Sequence, residues 1–138
     1  MITYSSTPKT SALRPSINII ALAITLVVNT LANILPMNGL TTGEISDFYP
    51  SLFTPAGYVF SIWGLIYSLL ISFVIFQALG SQRLNPRLER LNYTFALSCL
   101  FNSLWIFAWH YRQMLLAQLC IMAVLILLII AYRLLEVE

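Results

Sequence analysis

Four apolar runs dominate this chain, each long enough to cross the roughly 30 Å hydrocarbon core of a bilayer at helical rise, and they leave little room for another fold. They extend from about Ile17 to Leu35, Pro55 to Leu79, Leu91 to Trp109 and Met114 to Tyr132. Lipid offers no water to the backbone, so every N–H and C=O must find a partner inside its own segment, and the runs are expected as helices. The expected fold class is therefore all-α, a polytopic transmembrane helical bundle over residues 17–138. A tail at 1–16, rich in Ser, Thr and Pro, is expected to be disordered. Charged residues make up only 9% of the chain, where a soluble domain uses roughly 25% to face water.

The connections carry start signals. Thr54-Pro55 and Asn85-Pro86 each offer a capping side chain followed by proline at the first helical position. The one long connection, Met37 to Phe53, contains Thr41-Thr42-Gly43-Glu44, a capping box for a short surface helix ending before Pro50. Little more than His110-Tyr111-Arg112 joins the third and fourth runs, which must form an antiparallel hairpin. That hairpin places Cys99 about four residues deeper than Cys120, an offset of about 6 Å that argues against a disulfide.

Basic residues set the orientation. Lys9, Arg14, Arg83, Arg87, Arg90 and Arg133 share one side of a four-span chain, and Arg112 faces the other beside Glu44 and Asp47. Both termini are expected in the cytoplasm, in a multi-pass protein of the cytoplasmic membrane. A cleaved signal peptide is the competing reading of the first run. It is disfavoured by the run's length, by Asn29 and Asn33 within it, and by the lack of a small-x-small cleavage site.

Polar residues inside the runs fall into stripes. Asn18, Thr25, Asn29 and Asn33 share one face of the first run, and Thr94, Ser98, Asn102, Trp105 and Trp109 share one face of the third. In the second run Gly57, Ser61, Gly64, Ser68 and Ser72 form a small-residue edge, with Trp63 and Tyr67 more than 100° away. Small residues at this spacing are expected to let helices approach closely, and the asparagines to bond between helices. Trp109 and Tyr111 suit an interfacial aromatic belt, and His110 a helix end at the water boundary. Trp63 and Trp105 lie deeper, beside polar faces, as the walls of a pocket for a flat apolar ligand would.

Several functions are excluded or weakened. No basic tract or basic–aromatic interleaving suggests nucleic acid. No ionisable residue lies deep in a run, which weakens a proton-coupled pump or ion channel. No metal-ligand cluster, phosphate loop or nucleophile motif is present, so neither an enzyme nor a metal or other cofactor is expected. Arg90-x-x-Tyr93-x-x-x-Leu97 fits a proposed cholesterol pattern of low specificity.

From Phe53 to Tyr67 the chain reads FTPAGYVFSIWGLIY. This resembles the entry to the second helix of the TspO/MBR family, the tryptophan-rich sensory proteins that include the mitochondrial translocator protein. Pro55, Phe60, Trp63 and Tyr67 match its W-x-P-P-x-W-x-F segment and the aromatics after it, while Phe53, Ala56 and Tyr58 depart from it. Leu100-Phe101-Asn102-Ser103-Leu104-Trp105 is similar to the L-x-N-x-x-W of the third helix. The resemblance implies a bundle whose loop after the first helix lids a pocket for porphyrins, sterols or other hydrophobic molecules. Carried over by position, the ligand-binding residues would be Trp63, Tyr67, Asn102, Trp105 and Phe107, with Phe53, Pro55 and Tyr58 helping to close the pocket. Family bundles have five helices. The four runs here, and a fourth run without tryptophan, suggest a divergent or shortened member.

The resulting expectation is an integral membrane sensor or receptor for a flat hydrophobic ligand of the porphyrin or sterol class. Its expected partners are membrane lipid, the small-molecule ligand and, as an open option, a second copy in a homodimer. A small transporter or permease subunit, or a structural subunit, is the alternative.

Overall fold

The computed structural model describes residues 12–35, 37–49 and 57–136. Six α-helices and three short 3-10 turns account for nearly all of them, and no strand occurs among the described residues. The helices are α1 (Leu13–Ile34), α2 (Thr42–Asp47), α3 (Ile62–Ala78), α4 (Pro86–Leu91), α5 (Thr94–His110) and α6 (Met114–Leu134). The all-α bundle expected from the apolar runs is what forms.

Helix α1 starts at Leu13, ahead of the expected Ile17, so part of the expected tail is helical; residues 1–11 lie outside the described residues. Pro15 does not prevent this start, because the first-turn N–H groups have no intrahelical acceptor to lose. The capping box forms as expected: Thr41 Oγ1 accepts from Glu44 N–H, and the Glu44 carboxylate accepts from Thr41 N–H. Asn85 caps α4 by accepting from Arg87 N–H, with Pro86 at the first helical position. The Thr54-Pro55 start lies outside the described residues; a 3-10 turn at Gly57–Ser61 leads into α3.

The third run forms α5, preceded by the short α4, which lies in the charged connection and ends at Leu91. The two helices part at Asn92, whose φ of 48° lies in the left-handed region that asparagine tolerates better than most residues. The Arg90 guanidinium and the Glu136 carboxylate then tie α4 to the end of α6, which holds the Glu136 carboxyl below its usual range.

Contacts between early and late residues give an up-down-up-down order. Asn18 of α1 meets Gln77 of α3, Phe73 of α3 meets Phe95 of α5, and Trp63 meets Trp105. Hence α1 and α5 run one way, α3 and α6 the other. Helix α5 packs mainly on α6 and α1, and α3 packs on α1. Around Leu22, Val74, Leu91, Phe95 and Cys99 lies a small apolar core. Cys99 and Cys120 are both buried and unbridged.

Polarity is reversed relative to a water-soluble protein. Buried positions of α1 include Asn18, Thr25 and Asn29, whereas Ile20, Ile24 and Val27 face outward. Helix α6 buries only Ala117 and Cys120 and exposes a long row of leucines and isoleucines. Mean hydropathy reaches 2.0 over α1 and 3.0 over α6, both long and apolar enough to cross a membrane, and α3 is a shorter apolar helix. An outer surface of this kind is stable only against lipid or other apolar groups.

The small-residue edge of α3 does not act as expected. Ser61, Gly64, Ser68 and Ser72 are exposed, and a Cβ added at Gly64 would meet open space. Ser68 and Ser72 return their hydroxyls to carbonyls one turn back, 2.8 and 2.9 Å away, rather than to another helix. Close approach between helices instead uses α5 against α6 and the polar face of α1 against α5.

Candidate functional site

The polar face of α1 meets that of α5 through three contacts. Asn29 Nδ2 donates to Asn102 Oδ1 at 3.1 Å, and the Thr25 hydroxyl lies 3.0 Å from the Cys99 carbonyl and 3.2 Å from the Ser103 hydroxyl. These bonds satisfy polar groups that lipid could not, and they fix the register of the two helices. With that register set, Trp105 turns from α5 toward α3 and stacks on Trp63, ring centres 5.6 Å apart and planes 25° off parallel. Tyr67 stacks on the other side of Trp63 at 5.8 Å, and Trp109 follows Trp105 at 6.1 Å. The result is a four-ring aromatic wall, Tyr67–Trp63–Trp105–Trp109.

Two cavities share this wall. The first, about 480 Å³, lies at the end of the bundle beneath α2 and is lined by Asn29, Thr30, Asn33, Thr42, Trp63, Gly64, Tyr67 and Trp105, among others. The second, about 390 Å³, lies between α3, α5 and α6, with Thr25, Ser98 and Asn102 on one side and Ile121, Met122, Leu125 and Leu128 on the other. Trp63 and Tyr67 line both, so the spaces adjoin. Both volumes fall within the usual range for small-molecule sites.

Helix α2 covers the first cavity and is held from two sides. Trp109 Nε1 donates to the Thr42 carbonyl at 3.2 Å, and Thr42 N–H points at Asn33 Oδ1 at 3.4 Å. One residue group further on, Asn38 Nδ2 donates to the His110 carbonyl at 3.2 Å. Trp109 is thus a fastening for the lid. His110, the last residue of α5, is fully buried, with Nδ1 donating to the Ile106 carbonyl at 2.9 Å.

Of the eight residues expected at the site, four come together: Trp63, Tyr67, Asn102 and Trp105 line the cavities. Phe107 lines neither and is 42% exposed, because two residues beyond Trp105 on a helix is a turn of about 200°, onto the opposite face. Tyr58, in the turn before α3, is 80% exposed and also lines neither cavity. Phe53 and Pro55 lie outside the described residues. The expectation missed Asn33 and Thr42 at the mouth. The four-residue spacing of Asn29 and Asn33 was a signal for the first; nothing in the local sequence places Thr42 over the wall. Among the described residues no group of His, Cys, Asp and Glu could hold a metal ion.

The geometry can be set against known proteins. No curated protein matches the sequence, and no solved structure matches the fold. The family described as TSPO-like protein matches residues 15–138, which is nearly the whole chain. That match covers α1 through α6 and every residue of the aromatic wall, so the chain belongs to the TSPO-like protein family.

Proposed function

We propose that this membrane protein is a receptor for a flat hydrophobic small molecule of the porphyrin or sterol class, bound against the aromatic wall and lidded by α2. The observation that carries the reading is the continuous Tyr67–Trp63–Trp105 stack bordering two adjoining cavities inside an otherwise lipid-compatible bundle. Trp63 and Trp105 stack on each other, so the ligand would lie along their free edges and faces and not between them. Asn102 would orient its polar edge, and Phe107 would take no part.

Protoporphyrin is a direct probe. It should quench tryptophan fluorescence saturably in the intact chain, and Trp105→Ala should weaken that quench at least tenfold while Phe107→Ala leaves it unchanged. Absence of saturable quenching in folded protein by both protoporphyrin and its dimethyl ester would sink the reading.

A second reading, passage of the ligand, rests on a separate observation. The cavity beneath α2 and the cleft beside α6 adjoin at Trp63 and Tyr67, and α3 and α6 do not pack extensively on each other. A ligand could thus move between the lidded mouth and the lipid-facing cleft. Flux of a fluorescent porphyrin across proteoliposomes, absent from protein-free vesicles, would favour transport over sensing. Four membrane crossings with both termini in the cytoplasm complete the proposal; a homodimer remains compatible with it.

A further inference from the structure

We infer that the site selects an uncharged planar ligand carrying a hydrogen-bond acceptor at one end, and that it discriminates against anions. This rests on the receptor reading and narrows its ligand class.

Three observations converge. Among the described residues no Asp, Glu, Lys, Arg or His lines either cavity. A carboxylate entering the site would shed water without meeting a counter-charge, which burial makes costly.

The groups left unpaired are neutral hydroxyls. Tyr67 Oη and Thr42 Oγ1 are both buried without a hydrogen-bond partner, and both residues line the cavity beneath α2. The nearby amides are already engaged: Asn29 Nδ2 with Asn102 Oδ1, and Asn33 Nδ2 with the Asn29 carbonyl. Buried polar groups normally have partners, so two orphan hydroxyls on one cavity mark where an acceptor such as a carbonyl or ester oxygen is met.

The lid adds a field of the wrong sign for an anion. Glu44 and Asp47 are exposed on α2, the helix that covers this cavity, and hydrogen bonds from the Thr41 backbone and side chain hold the Glu44 carboxyl below its ordinary range, so it is ionised at neutral pH. Arg112, the cation at this end of the bundle among the described residues, lies 5.3 Å from the centre of the Phe48 ring.

The test compares protoporphyrin with its dimethyl ester, which keep one ring and differ in charge. Binding to the full chain in lipid nanodiscs is read by tryptophan quenching, corrected for partition into protein-free nanodiscs. The ester should bind about tenfold or more tightly than the diacid at neutral pH. Tyr67→Phe, which keeps the stacked ring and removes the hydroxyl, should weaken the ester about fivefold. Equal binding of the two, or tighter binding of the diacid, overturns the inference and leaves the receptor reading standing. Binding of neither overturns both.

Discussion

Two amides link α1 and α3 with one hydrogen bond between them. Asn18 Nδ2 donates to Gln77 Oε1 at 2.9 Å, and both residues are essentially fully buried. The opposite halves, Asn18 Oδ1 and Gln77 Nε2, are buried without partners. A pair so incompletely satisfied contributes little net stability, yet removing one member strands a whole amide in an apolar site. Gln77→Leu alone should therefore destabilise the fold by about 1–2 kcal/mol, whereas the double replacement Asn18→Leu, Gln77→Leu should cost less than either single change. Equilibrium unfolding in mixed micelles measures all three variants. Simple addition of the two single costs would show that the amides act separately.

At the scale of elements, the lid is the part whose behaviour follows from a cited charge. Thr41 N–H and the Thr41 hydroxyl both serve the Glu44 carboxylate, 2.7 and 2.8 Å away, and they lower its pKa from the ordinary 4.5. A carboxyl whose folded pKa is depressed stabilises the folded form above its unfolded value and loses that contribution as pH falls through the folded value. Hydrogen-exchange protection of α2 should accordingly stay level from neutral pH down to about 5, then decline below 4.5. A decline centred near neutrality would contradict this. The capping box behind this behaviour was legible because it is a four-residue pattern whose chemistry is local. So were the centres of α1, α3, α5 and α6, since an apolar run of this length in lipid has one backbone solution. Trp63, Tyr67, Asn102 and Trp105 were legible as cavity-lining residues because helical spacing sends them to facing surfaces. What escaped depends on distant parts of the chain. The left-handed backbone at Asn92 parts the helix started at Pro86 from the apolar run, which spacing alone does not show, and Trp109 becomes a lid fastening only because α2 folds back to offer the Thr42 carbonyl. Phe107, carried over by motif analogy, falls on the face of α5 away from both cavities.

For the molecule as a whole, the up-down order sorts charge between the two ends of the bundle. Arg14, Arg83, Arg87, Arg90 and Arg133 fall at one end, with Glu89 and Glu136; Glu44, Asp47 and Arg112 fall at the other. Basic flanks are retained in the cytoplasm, so the proposed four crossings place α2 and the cavity mouth on the far side. Helices α3 and α5, with 17 residues each, span only about 25 Å at helical rise. They reach across roughly 30 Å with help from the turn at Gly57–Ser61 before α3 and from α4 before α5, or by local thinning of the bilayer. Cysteine labelling on intact cells tests this arrangement against a low background, because Cys99 and Cys120 are buried. With a membrane-impermeant maleimide, Asp47→Cys should react from outside and Ser81→Cys only after permeabilisation. The opposite pattern would invert the protein and turn the mouth toward the cytoplasm. Reaction of both from outside would remove α3 as a crossing and leave the lidded cavity and the basic end on one side of the membrane.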